Sequence, residues 1–109
     1  MPFYVRALDD GTDCRPSSAA AAMLGLGSTY RTLGRYAEAV SVLSAGVAEF
    51  PDDRALAVFL AMALYNAGNA KEAVAGLLTV LADTSADPEV RRYERAIRLY
   101  AEDLDRVWD

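Results

Sequence analysis

The chain repeats itself with a period of 34 residues, and this periodicity constrains its fold more than any other feature. Gly34 recurs as Gly68, and the segments after the two glycines share apolar and acidic positions. The matched pairs are Glu38 with Glu72, Ala39 with Ala73, Val40 with Val74 and Leu43 with Leu77. A fixed period of this length is typical of stacked supersecondary units, each too small to bury its apolar face alone.

Each repeat unit has the pattern of two helices separated by its glycine. Apolar residues recur at the spacing that places them on one side of a helix. In the first unit these residues are Met23, Leu26, Gly27 and Tyr30 before Gly34, and Val40, Leu43 and Val47 after it. Glycine adopts a left-handed conformation without steric cost, so we expect Gly34 and Gly68 to end helices. No alternating strand pattern competes, and the predicted class is all-α.

Capping residues support several of these helix boundaries. Asn69 is predicted to cap the helix after Gly68, with Glu72 completing a capping box. Arg35, at the equivalent place in the first unit, is a poor cap, although Glu38 favours the positive end of that helix. The sequence Asp87-Pro88-Glu89 predicts a helix start, with an aspartate cap followed by proline at the first helical position.

The residues of the first unit resemble the tetratricopeptide repeat. The pattern consists of Leu26, Gly27, Tyr30, Gly34, Tyr36, Ala39, Leu43, Gly46 and Pro51. The family places small residues where two helices nearly touch, and Gly27 and Ala61 satisfy the first such position. The second unit departs from the pattern at Leu64, Val80 and Ser85. The stretches GLGSTYRTLGRYAEA and AIRLYAEDL further resemble a bacterial subgroup of this family, mostly of unassigned role.

The resemblance implies an all-α, tetratricopeptide-type α-solenoid built from antiparallel helix pairs. One domain spans residues 1–109, since a chain of this length fits a single unit with its own core. Residues 20–53 form the first repeat and residues 54–87 the second. Residues 2–9 resemble an orphan second helix of a partial repeat, and residues 88–108 are predicted to form one capping helix that runs to about Val107.

The two ends of the chain suggest self-association. An incomplete N-terminal edge leaves apolar surface that another chain could cover, and two repeats are fewer than the three usually needed. Phe3 and Tyr4 are the candidate contact residues at this edge. Trp108 extends past the usual length of a capping helix, so it either folds back or lies against a second molecule. The alternative is that residues 2–9 pack on the helix from Ala19 to Tyr30, which leaves a monomer.

The charge and cysteine content disfavour several classes of partner. The net charge of −5 makes nucleic acid and anionic membrane surfaces unfavourable partners. Cys14 is the single cysteine. A secretory signal would have a basic start followed by a long apolar stretch, and the sequence does not show this pattern. We therefore expect a cytoplasmic protein.

Few residues suggest catalysis or a cofactor. The chain contains no histidine, which is the commonest general base and metal ligand at neutral pH. The acidic stretch at residues 9–13 could attract calcium, yet it lacks a twelve-residue loop with a closing glutamate. Gly25 and Gly27 follow no predicted strand, which argues against a dinucleotide loop. We expect no enzyme activity, no cofactor and no metal.

The resemblance implies a concave groove lined by the first helix of each repeat. The implied groove residues are Leu24, Ser28, Arg31 and Thr32, then Val58, Met62, Tyr65 and Asn66, and finally Arg91, Glu94 and Arg98 from the terminal helix. Apolar residues flanked by arginines suit an extended or helical peptide that carries acidic residues. Leu24 and Ser28 occupy positions that hold a carboxylate in chaperone-binding members, so binding of a chaperone tail is disfavoured. The alternative is that these are ordinary half-buried surface residues.

Two functional hypotheses follow from the sequence. The first is a non-catalytic module that binds a peptide or protein segment in its groove. The second is a structural homodimer or assembly scaffold formed through the N-terminal edge and the terminal helix.

Overall fold

The described part of the chain is entirely helical. A computed structural model describes residues 18–105 and residue 107. Its helices are α1 (Ser18–Thr32), α2 (Tyr36–Glu49), α3 (Arg54–Asn66), α4 (Ala70–Thr84), α5 (Pro88–Arg92) and α6 (Glu94–Glu102). From α1 to α4 each helix packs on the next, α1 also contacts α3, and α4 packs against α6. This arrangement confirms the predicted all-α repeat fold.

The two repeat glycines make equivalent turns. Gly34 has φ of 79° and Gly68 has φ of 94°, both in the left-handed region. After the first glycine, the Arg35 N–H donates to the Tyr30 carbonyl over 2.9 Å. After the second, the Asn69 N–H donates to the Leu64 carbonyl over 2.8 Å. These six-to-one hydrogen bonds are those of a Schellman motif, so the predicted helix ends at both glycines are confirmed.

The core forms where small residues let helices approach closely. Its buried members are Ala20, Leu24, Ala39, Leu43, Leu56 and Ala63. A Cβ atom added at Gly27 would lie 2.6 Å from Leu43 Cδ2, which shows how closely α1 lies against α2. At Gly46 the corresponding distance to Leu56 Cδ2 is 3.1 Å, so α2 and α3 are also in close contact. These contacts fix the stacking of the helices.

Two of the three predicted helix starts behave as expected. The Asp87 carboxylate accepts from the Glu89 N–H at 2.9 Å and from the Val90 N–H at 3.2 Å, which confirms this cap. Arg35 makes no side-chain cap, and its guanidinium instead pairs with Glu38.

Asn69 occupies the predicted N-cap position of α4, but the predicted cap by its side chain was wrong. Its side chain makes no capping hydrogen bond, and its φ and ψ are −106° and 58°. The residue also closes the preceding Schellman turn through its own N–H. Its backbone is therefore held outside the extended conformation that a side-chain cap uses.

The terminal segment differs from the single helix predicted over residues 88–108. Tyr93, with φ of −103° and ψ of 15°, separates α5 from α6. The second helix ends before Asp103, whose carboxylate accepts the Asp105 N–H at 3.2 Å. Local bonding by an aspartate offers the backbone an alternative to continuing the helix. Val107 is 83% exposed and belongs to no helix.

Several predictions lie outside the described residues. They are the orphan helix at residues 2–9, the acidic stretch at residues 9–13, and the surroundings of Phe3, Tyr4 and Trp108. Across the residues that the structure does describe, no helix is long and apolar enough to cross a membrane.

Gly27 and Gly25 provide a matched test of helix contact. Gly27→Ala forces a Cβ against Leu43 and is expected to destabilise the fold by about 1–3 kcal/mol. Gly25→Ala places its Cβ where no atom lies within 4 Å, so we expect a gain of about 0.5–1 kcal/mol from better helix propensity. Urea unfolding followed by circular dichroism measures both changes. Equal effects of the two substitutions would contradict the close approach of α1 and α2.

The ion pair between Lys71 and Asp105 gives a pH-dependent test. Hydrogen bonding to Asp105, and then its charge, raises the pKa of Lys71 above 10.5. A raised pKa means that this pair stabilises the folded chain at neutral pH and that the contribution disappears as the pH rises beyond about 10.5. Asp105→Asn should lower the pKa of Lys71, measured by NMR titration of the only lysine. Asp52→Asn, beside Arg54, is the control and should leave that pKa unchanged.

Candidate functional site

The structure joins two predicted groove residues from successive repeats. Arg31 on α1 donates from Nε to Asn66 Oδ1 on α3 over 2.8 Å, and both side chains are partly buried. The sequence separates these residues by 35 positions, close to one repeat period. The hydrogen bond therefore holds the first helices of the two repeats side by side, as a continuous lining would require.

The other predicted residues of α1 and α3 differ in accessibility. Leu24 is 9% exposed and belongs to the core, so it offers little surface to a partner. Tyr65 is 66% exposed and presents most of its ring to solvent. The remaining members comprise half-buried Ser28, Val58 and Met62 and exposed Thr32. The reachable surface consequently centres on α3.

The predicted residues of the terminal segment form a separate charged cluster. Arg98 Nη2 lies 3.0 Å from Glu94 Oε2, and Arg91 Nη2 lies 3.7 Å from Glu94 Oε1. Among the described residues, hydrogen bonds and ion pairs connect members within this set but do not connect them to the α1 and α3 set. The eleven implied groove residues thus divide into two groups.

Asp83 is a member of the charged cluster that sequence reasoning missed. Its carboxylate lies 2.8 Å from Arg98 Nη2 and 3.9 Å from Arg54 Nη2. Asp83, followed by Glu94, raises the pKa of Arg98 through hydrogen bonds. The antiparallel pairing of α3 and α4 places the start of one helix beside the end of the other. That pairing was the signal that could have linked Arg54 with Asp83.

An open depression of about 560 Å³ lies over the terminal segment. Its lining residues are Arg91, Arg92, Glu94, Arg95 and Arg98. Four cations and one anion make this region basic on a chain of net charge −5. Arg95 makes no ion pair with any other described residue, whereas Arg98 is already held by Asp83 and Glu94. Arg95 is thus the cation most available to an anionic group.

A second, mainly apolar cavity of about 290 Å³ lies between α3 and α4, beside the end of α2. Its apolar lining includes Val47, Leu60, Leu64 and Val80, and Arg54 and Asp83 also border it. Within the described part of the chain, no group of three or more histidine, cysteine, aspartate or glutamate residues could hold a metal ion. The described geometry suits binding through surface complementarity.

Comparison with known proteins identifies the family. A family model described as the tetratrico peptide repeat matches residues 1–104, which is well over half of the chain. No curated protein matched the sequence. Repeats of this kind generally mediate protein–protein interaction and are generally non-catalytic. With its 34-residue period, paired helices and equivalent glycine turns, the chain belongs to the tetratricopeptide repeat family.

Proposed function

We propose that this protein binds a peptide or protein segment along the surface formed by α1 and α3. The observation that carries the proposal is the Arg31–Asn66 hydrogen bond, which fixes the first helices of both repeats relative to one another. A surface held in this way loses little conformational freedom when a partner binds.

The chemistry of α3 supports a partner with apolar side chains. Tyr65 exposes a rigid aromatic ring with a polar tip, a residue type enriched among binding hot spots. Val58 and Met62 lie half-buried at helical spacing from it and offer an apolar floor. Methionine adapts its shape readily, which allows this floor to accommodate more than one apolar side chain. Leu24 is omitted from the proposed surface because it is buried.

The basic depression on the terminal segment supports an acidic partner. Arginine pairs with carboxylates through two parallel hydrogen bonds, so Arg95 suits a glutamate or aspartate of the partner. Arg91 is a second candidate to bind a carboxylate of the partner, since its only ion pair with a described residue is the 3.7 Å contact with Glu94. Arg98 serves mainly to hold the cluster together. We therefore propose an acidic, partly apolar segment as the ligand.

Homodimer formation is the alternative function. The sequence assigns it to Phe3, Tyr4 and Trp108, which lie outside the described residues. Apolar edges among the described residues support self-association through a different surface.

The proposed surface is tested with peptides selected from a displayed random library. We expect peptides selected on the wild-type chain to be enriched in acidic and apolar residues. Tyr65→Ala should weaken the binding of a selected peptide at least tenfold, because the substitution removes the most exposed aromatic ring of α3. Isothermal titration calorimetry measures the affinity, and Tyr36→Ala, at a tyrosine of α2 that is 36% exposed and outside both proposed contact surfaces, is the control. Equal loss in both variants, or loss in neither, would refute the assignment to α3.

A second variant tests the acidic character of the partner. Arg95→Glu reverses the most available charge of the basic depression and should weaken the same peptides, most strongly at low salt. Arg35→Glu alters an arginine that lies outside the depression and serves as a control of equal charge change. If both variants weaken binding equally, long-range net charge explains the effect and the depression is not the contact.

A further inference from the structure

Helix α4 carries an exposed apolar stripe whose counterpart in the first repeat is buried. Val74, Leu77 and Leu81 are 44%, 43% and 42% exposed. One period earlier, Val40, Leu43 and Val47 occupy the same places on α2. There Leu43 is 0% exposed, and the two valines pack against the core. The difference indicates that the described residues cover only part of the face of α4 that would receive the next helix of the array.

The terminal helix leaves this stripe uncovered because α4 is buried on a different side. Ala75 and Leu78 are half-buried and Ala82 is 4% exposed. Their counterparts on α2, namely Ser41, Ser44 and Ala48, are exposed. Helix α6 packs on α4 and is the contact that α2 lacks, so we attribute the additional burial to α6. Among the described residues, α6 therefore does not continue the array past α4.

Helix α1 has the complementary uncovered edge. Ala22 and Thr29 are exposed and Leu26 is 46% exposed. One period later, Leu56 and Ala63 on α3 are fully buried and Leu60 packs against the core. These positions of α3 belong to the face that packs on α2, since Leu56 lies against Gly46. The same face of α1 has no described helix to receive it.

The residue sizes at the two edges are exchanged relative to the internal contact. Within the chain, the large Leu56 lies against the small Gly46. By repeat register, the counterpart of Gly46 is Val80, which is half-buried and also borders the cavity between α3 and α4, and the counterpart of Leu56 is the exposed Ala22. A contact between α4 and an α1 helix would thus again pair a large residue with a small one. The large residue would now be Val80 on α4 and the small one Ala22 on α1. Complementary volumes of this kind are what close helix packing requires.

We propose that a second copy of this chain docks its α1 edge onto the Val74–Leu77–Leu81 stripe of α4, which extends the repeat array from one molecule to the next. The contact repeats the geometry of α2 on α3, with Ala22 of one copy beside Val80 of the other. It joins two different surfaces, so it is heterologous and leaves one free edge at each end of any oligomer. This assembly goes beyond binding on the α1 and α3 surface and uses other residues.

The test uses two full-length variants, each with one edge blocked by a charge. Leu77→Asp blocks the α4 edge and Leu26→Asp blocks the α1 edge, and both leucines are exposed, so folding should be retained. Light scattering should show the wild-type mass rising with concentration beyond twice that of one chain. Each variant alone should remain a monomer. An equimolar mixture should reach twice the mass of one chain and stop there, because one intact contact remains.

The control is Leu99→Asp on α6, where the leucine is 45% exposed and lies on neither edge. This variant should assemble like the wild type. A wild-type chain that is monomeric at all concentrations would overturn the proposal and would indicate that residues outside the described part cover the edges. A dimer that forms equally well in either variant alone would also overturn it, since that behaviour requires a contact between identical surfaces. The proposal would also be overturned if the equimolar mixture of Leu77→Asp and Leu26→Asp stayed at the mass of one chain.

Discussion

The close approach of α1 and α2 at Gly27 is the contact on which the rest of the structure depends. Leu43 reaches into the space that a side chain at position 27 would fill, and it is completely buried there. Gly46 then allows Leu56 equally close access one helix later. Two glycines of the first repeat thereby fix how α1, α2 and α3 stack. The positions of Arg31 and Asn66 on adjacent helices follow from this stacking.

The fold was predictable because its determinants are local or periodic. Equivalent glycines at 34 and 68 specify the turns, and Asp87 with Pro88 specifies a helix start, without reference to distant residues. The break at Tyr93 was not predictable from the helical spacing of the apolar residues Tyr93, Ala96, Ile97 and Tyr100, because that spacing only begins at the break. The failed cap at Asn69 has a similar origin, because one residue belongs to two motifs that require different backbone angles.

The candidate site was predictable only in part. The repeat register places Arg31 and Asn66 on neighbouring helices, but Leu24 shows that register alone does not determine burial. The pairing of Asp83 with Arg98 depends on where the terminal helix packs, and that position departs from the array. Ala75 and Leu78, in place of the exposed Ser41 and Ser44 of α2, lie on the side of α4 that is additionally buried. A periodic pattern therefore predicts interior contacts better than those at the last repeat.

The Lys71–Asp105 pair has a practical consequence for handling the protein. Lys71 is the only lysine of the chain and its side chain is 61% exposed, so amine-directed reagents will modify no other side-chain amine. An acyl label on its nitrogen removes the positive charge that Asp105 contacts, so the attachment between the terminal segment and α4 loses one of its ion pairs, while the Arg98–Asp83 pair remains. Fluorophores and surface tethers intended to leave this protein unaltered are better attached through an introduced cysteine elsewhere, once Cys14 has been replaced.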